Sequence, residues 1–256
     1  MIRLLTLILA VTSVARPVLA LSEDETKKLV ILIDDRQRNT GDYSSLVFID
    51  QKEKDKSNKA FEARVSRRDA DDKWMILFLK PKSEAGKGYL RLEKNLFLYE
   101  PTLGKWERQT ERASIAGTGS QRSDFDESRL AEEYKAAFVG DEKLGKFAVH
   151  RLKLTALPGT EVASPVVELW VDTDTKNVLK RQEFALSGKL LRTAYYPTWD
   201  KMFSKSKGAE VYVPKEIRIF DEVDKGNSTV IVLREVKLDP LDANMFTKAW
   251  LESQSK

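Results

Sequence analysis

Leu90 and Leu92 alternate with Arg91 and Glu93, Asn95 interrupts the run, and Leu96 to Tyr99 resumes it before Pro101 to Gly104 and Trp106. Strand side chains point to opposite faces in turn, so this alternation predicts an antiparallel meander between Gly88 and Arg108. One face of the meander is apolar and aromatic, the other charged. Leu90 and Leu92 share a side, as do Phe97 and Tyr99; the turn at Asn95 decides whether those sides coincide, because the turn fixes the register.

Similar strand patterns occupy Tyr43–Gln51, Ala60–Arg68, Trp74–Lys80, Ala136–Val139, Phe147–Ala156, Val166–Val171, Val178–Leu186, Leu190–Tyr196, Glu216–Phe220 and Ser228–Lys237. Pro81 closes one run, and Gly140-Asp141, Pro158-Gly159, Asp172–Asn177, Gly188-Lys189 and Asp224–Asn227 separate others. Helical signals are few. Ser22 and Glu25 form a capping box that starts a helix ending near Asn39-Thr40-Gly41, with Leu29, Leu32, Ile33 and Arg36 on one side. A short helix capped by Ser123 or Asp126 carries Leu130 and Tyr134, and Asp242 caps a closing helix with Met245, Phe246, Ala249 and Trp250. Between Thr110 and Arg122, Ala, Ser, Gly and Thr predict a mobile loop, either a lid or a passive connection. About ten or eleven short strands at regular spacing predict a mainly β fold, a strongly curved antiparallel sheet or barrel. No Pro-, Gly- or Ser-rich boundary divides Leu21–Lys256, which is expected to be one domain.

The first twenty residues stand apart. Arg3, the apolar run Leu4–Val14 and the compact Val18-Leu19-Ala20 resemble a secretory signal peptide cleaved after Ala20. The run is shorter than the roughly 20 apolar residues of a membrane-spanning helix. The expected product is exported to a periplasm. The chain has no cysteine, which excludes disulfides, thiolate nucleophiles, zinc–thiolate sites and a lipid-modified mature N-terminus. Losing Arg3 and Arg16 with the leader lowers 44 basic residues to 42 against 40 acidic ones, a net charge of +2. Both signs are interspersed, so no basic face for nucleic acid is expected.

Candidate chemistry is sparse. His150, the single histidine, stands in a strand, and a Ser-His-Asp arrangement would require it to meet both a serine and a carboxylate. Metal ligands are limited to carboxylates, without EF-hand spacing at Asp124–Asp126 or Asp172–Asp174. Asp172-Thr173-Asp174 reads as a hairpin turn, Asp124–Asp126 as a helix start. Gly117-Thr118-Gly119 lacks the Gly-Lys-Ser/Thr of a phosphate loop. No catalytic residue, metal or cofactor is expected. What remains is apolar: Val47, Ile49, Trp74, Phe78, Leu90, Leu92, Phe97, Tyr99, Trp106, Phe125, Trp170 and Tyr195 are the candidate lining of a hydrophobic cavity.

Several segments in order resemble one family. Gly88-Tyr89-Leu90-Arg91-Leu92, Asn95–Pro101 and Trp106-Glu107-Arg108 resemble the central motif of the LolA-like outer-membrane lipoprotein-sorting proteins. The likeness continues through Ser123-Asp124-Phe125, Glu168–Asp172, Gly188–Arg192, Pro214–Ile217 and Phe246-Thr247. Gln121-Arg122 departs from the Met or Gly that usually precedes Ser-Asp-Phe. The resemblance implies an unclosed antiparallel β barrel with a helical lid over an apolar cavity. It also implies a monomeric periplasmic carrier that shields lipoprotein acyl chains, or a related lipid, between an inner-membrane transporter and an outer-membrane acceptor. The alternative is a periplasmic accessory that docks on a transporter and carries nothing; its interior would be filled by side chains.

Overall fold

The computed structural model describes residues 20–38, 41–110, 113–126 and 128–255. The expected leader up to Leu19 and the helix stop at Asn39-Thr40 lie outside them.

Helix α1 spans Glu23–Arg38. Its capping box forms as expected: Glu25 N–H donates to Ser22 Oγ at 3.2 Å, and Ser22 N–H donates to Glu25 Oε2 at 2.8 Å. The buried stripe is Thr26, Leu29, Val30 and Ile33, whereas Leu32 is exposed; this corrects the expected face by about one position. The strands follow as β1 (Tyr43–Lys52), β2 (Lys59–Arg68), β3 (Lys73–Lys80), β4 (Gly88–Leu92), β5 (Asn95–Glu100) and β6 (Lys105–Gln109). After α2 (Leu130–Glu133) come β7 (Tyr134–Leu144), β8 (Phe147–Ala156), β9 (Val166–Asp172), β10 (Val178–Phe184), β11 (Leu190–Ser204), β12 (Ala209–Asp221), β13 (Ser228–Lys237) and α3 (Lys248–Gln254).

All described strands form one antiparallel sheet of 13 strands, ordered β6-β5-β4-β3-β2-β1-β13-β12-β11-β10-β9-β8-β7. The sheet is not closed: β6 and β7 are its two edges. The strand count exceeds the expected ten or eleven because all ten separate runs and all three members of the Gly88–Arg108 meander form strands. The β11–β12 hairpin is also far longer than its alternation shows. Pro197 lies where the register slips between Tyr195 and Thr198, and Pro214 pairs with Trp199 just past it. The prolines bend the hairpin at bulges instead of ending its strands.

Two other expectations are revised. Tyr134 opens β7 instead of extending α2, and α2 is capped from α1: Asp34 accepts from Leu130 N–H at 2.9 Å, Ala131 N–H at 2.7 Å and Ser128 Oγ at 2.6 Å. Asp242 caps only a 3-10 turn, Ala243–Met245, while Thr247 caps α3 by accepting from Trp250 N–H.

The Asn95 turn settles the faces of the meander. Leu90 pairs with Phe97 and Gly88 with Tyr99, so the Leu90 and Tyr99 sides coincide. That shared side is convex. Leu90 and Met75 are buried under Phe246 and Leu251, with Leu92, Tyr99, Trp106 and Trp250 packed around them. Gly88 permits the contact, since a Cβ there would come within 2.8 Å of Leu251 Cδ1. Trp106 Nε1 donates to Glu252 at 2.6 Å, and Lys248 Nζ lies 4.1 Å from the Phe97 ring centre. Leu251→Ala should therefore lower stability by about 3 kcal/mol through the void it leaves, measured as a shift in the urea midpoint with unchanged slope.

Candidate functional site

The opposite side of the sheet encloses a cavity of about 570 Å³. Strands β1, β2, β3, β4, β10, β11, β12 and β13 all contribute to it, together with α1 and α2. Only a strongly curved sheet turns one face of so many strands toward a single space. Val47, Ile49, Val65, Ile76, Ile219 and Ile231 supply a continuous aliphatic floor. Ile33 and Leu130 cover it from the helices.

The sequence candidates divide between several places. Val47, Ile49, Trp74 and Phe125 line the cavity, with the Trp74 and Phe125 rings 5.4 Å apart. Phe78 is on the same face but fully buried, edge-on to Phe61 and Tyr89. Leu90, Leu92, Phe97, Tyr99 and Trp106 are on the convex side with α3. Trp170 is also on the outward face of the sheet, buried with Val149 and Leu179, where Lys180 Nζ lies 3.8 Å from its ring and Glu142 accepts from its Nε1. Tyr195 meets Phe220 edge-on, outside the cavity. His150 Nδ1 is 2.6 Å from Asp141 on the β7–β8 hairpin, away from the cavity lining. Asp172 accepts from Thr175 N–H at 3.1 Å, forming the expected hairpin turn.

Gly-rich residues 113–121 are packed, not loose. Ile115 is buried with Phe78 and Tyr89, Ala116 N–H donates to Tyr89 Oη at 2.9 Å, and Gly119 N–H donates to Thr229 Oγ1 at 2.8 Å. The segment closes one end of the concave face.

Charged residues beside the cavity were missed by the search for aromatic side chains. Asp126 is no helix start: it accepts from Trp74 Nε1 at 3.1 Å and Arg122 Nε at 3.0 Å, and it pairs with Arg91. Arg91 also reaches Asp72 at 2.6 Å. Asp124 binds Arg192 through both oxygens, at 2.9 and 2.5 Å, and Arg192 also donates to Glu183 at 3.1 Å. Arg181 lies 2.8 Å from Glu183, whose other oxygen accepts from Ser164. Burial opposes the Glu183 charge, yet Arg181 and Arg192 outweigh it and hold the carboxyl below its usual range. Burial likewise opposes the Arg192 charge, but Asp124 and Glu183 raise its proton affinity overall. Burial pushes the phenols of Tyr43 and Tyr134 up to about 12, so these cavity-lining groups stay neutral. Alternation contained a signal for Arg91, which shares its side with Tyr89. It also contained one for Ile219 and Ile231, which repeat the period that marks Val47 and Ile49.

Glu183→Gln leaves two buried cations undercompensated and should cost about 3 kcal/mol at neutral pH. Because the folded carboxyl titrates below its unfolded value of about 4.3, its contribution is present above that value. It disappears as pH falls through the folded value, so the stability difference between wild type and variant, measured by chemical unfolding, should shrink progressively as pH falls from the unfolded value through the folded one.

A family model described as "-like: Uncharacterized protein" matches residues 70–253. No curated protein matches the chain. Among solved structures, the fold is similar to a candidate outer membrane lipoprotein-sorting protein domain from Vibrio parahaemolyticus, at 17% identity and TM-score 0.78, covering 90% of this chain and 100% of that one. It is also similar to a LolA superfamily protein from Nitrosomonas europaea, at 19% identity and TM-score 0.71, over 88% and 98% of the two chains. A DUF1329 family protein from Desulfovibrio piger matches at 18% identity and TM-score 0.75, over 89% and 98%. With the family model spanning most of its length, the chain belongs to that family, and it shares its fold with the Vibrio lipoprotein-sorting domain and the Nitrosomonas LolA superfamily protein.

Proposed function

We propose that this protein is a non-enzymatic periplasmic carrier that shields acyl chains, those of a lipoprotein or a related lipid, between an inner-membrane transporter and an outer-membrane acceptor. The observation that carries this reading is the cavity of about 570 Å³ with its aliphatic floor. Its volume falls within the roughly 300–1,000 Å³ of small-molecule sites. Burying about ten methylenes is worth about 8 kcal/mol, near a micromolar dissociation constant before ordering costs. An affinity of that order suits a carrier, which must also release its cargo.

The fold likeness to a lipoprotein-sorting domain supports the same reading. Among the described residues, no helix is long and apolar enough to cross a membrane. An accessory that carries nothing would fill this space with side chains.

Val47→Trp tests the proposal, since Val47 points into the cavity from the middle of β1. Wild-type protein should retain lipid in native mass spectrometry and bind a hydrophobic dye. The variant should bind the dye about tenfold more weakly, a loss of 1.4 kcal/mol, while melting within a few degrees of wild type. Absence of both lipid and dye binding in the wild type would sink the carrier.

A further inference from the structure

Charges around the cavity separate into a neutral inner set and an unbalanced edge. In the inner set, Arg91, Arg122, Arg181 and Arg192 are paired with Asp72, Asp124, Asp126 and Glu183. Arg67 is matched by Asp69 at 2.5 Å. Of the remaining lining charges, Arg129 and Glu133 stand one helical turn apart around α2, and Lys94 and Glu161 offset each other formally. That leaves Arg36 and Lys176.

These two cations are neighbours held by neutral groups. Arg36, on α1, donates from Nη1 to the Thr175 carbonyl and to Asn177 Oδ1 at 3.1 Å, the residues on either side of Lys176. Its guanidinium lies 4.8 Å from the Tyr212 ring centre. Lys176 donates from Nζ to the Thr173 carbonyl at 2.5 Å. Asp35, adjacent to Arg36 in sequence, is exposed and divides its charge between Lys207, 3.8 Å away, and Arg36, which it stabilises only in part. Arg36 is half-buried, and burial weakens its hold on its proton. A partly desolvated cation whose hydrogen bonds go to carbonyl and amide acceptors is stabilised further when an anion joins it. Arg36, Lys176 and Asn177 line the same cavity as the aliphatic floor.

We infer that Arg36 and Lys176 form an anion-binding edge to the cavity and that the cargo is an anionic amphiphile. Its phosphate or carboxylate head lies between the two cations, and its acyl chain lies on the floor of Val47, Ile49, Ile219 and Ile231. This inference rests on the carrier reading and adds the chemistry of the head.

Displacement of a bound hydrophobic dye by oleyl phosphate, oleate and oleyl alcohol tests it, because the three share a chain and differ in head. In wild type both anionic ligands should bind about tenfold more tightly than the alcohol, a charge-assisted pair's worth of preference. In the R36Q/K176Q double variant that ratio should fall to within about twofold of one. Equal affinity of all three for wild type would overturn the headgroup inference and leave the carrier reading intact. A ratio that survives in the double variant would overturn the assignment to these residues. If no chain-bearing ligand binds, the carrier reading fails and this inference with it. Inorganic phosphate at millimolar concentration should leave oleyl phosphate in place; displacement by it would assign the edge to a free anion and overturn the amphiphile.

Discussion

Two carboxylates two residues apart join opposite walls of a curved sheet. Asp124 is bound by Arg192 on β11, and Asp126 pairs with Arg91 on β4, six positions away in the strand order. Between them Phe125 is set against Trp74 on the cavity wall. A buried ion pair adds little net stability over an apolar substitute, but loss of one partner leaves a costly charge. The segment is therefore held in one place by the penalty for leaving it. Helix α1 reinforces the arrangement by capping α2 through Asp34, which ties the covering helices to each other as well as to the sheet.

Alternation and turn residues made most of the sheet legible, because period two survives wherever one face is buried. The faces themselves were less accessible. Leu90 and Phe97 meet on the convex side because of the register across the Asn95 turn, and register is a property of backbone pairing instead of composition. The lengths of β11 and β12 were hidden by Pro197 and Pro214, whose usual effect on a ladder is absorbed here by bulges. The charged side of the cavity was hidden for another reason. Arg91 and Asp126 are 35 positions apart and Asp124 and Arg192 are 68 apart, so neither pair differs locally from solvated charges. The aliphatic floor was partly visible: Val47 and Ile49 stood out, whereas Val65, Ile76, Ile219 and Ile231 lie in strands whose inward face the alternation does not identify.

The cavity thus combines two properties that usually oppose each other. Charged groups are concentrated beside an apolar space, yet the inner ones cancel and the phenols of Tyr43 and Tyr134 remain protonated. The field at the apolar floor is therefore weak, and the unmatched charge lies at the edge beside α1.

The unclosed sheet has its own consequence. Edges β6 and β7 share no ladder, so the two halves can separate without a backbone hydrogen bond between strands being broken. In a closed barrel the diameter is set by strand number and stagger. Here the internal volume is set by bending of the sheet and by the contacts of the segment that straddles it. Cavity volume becomes an elastic property of the fold: expansion is resisted by a compliant seam, not by a ring of fixed circumference.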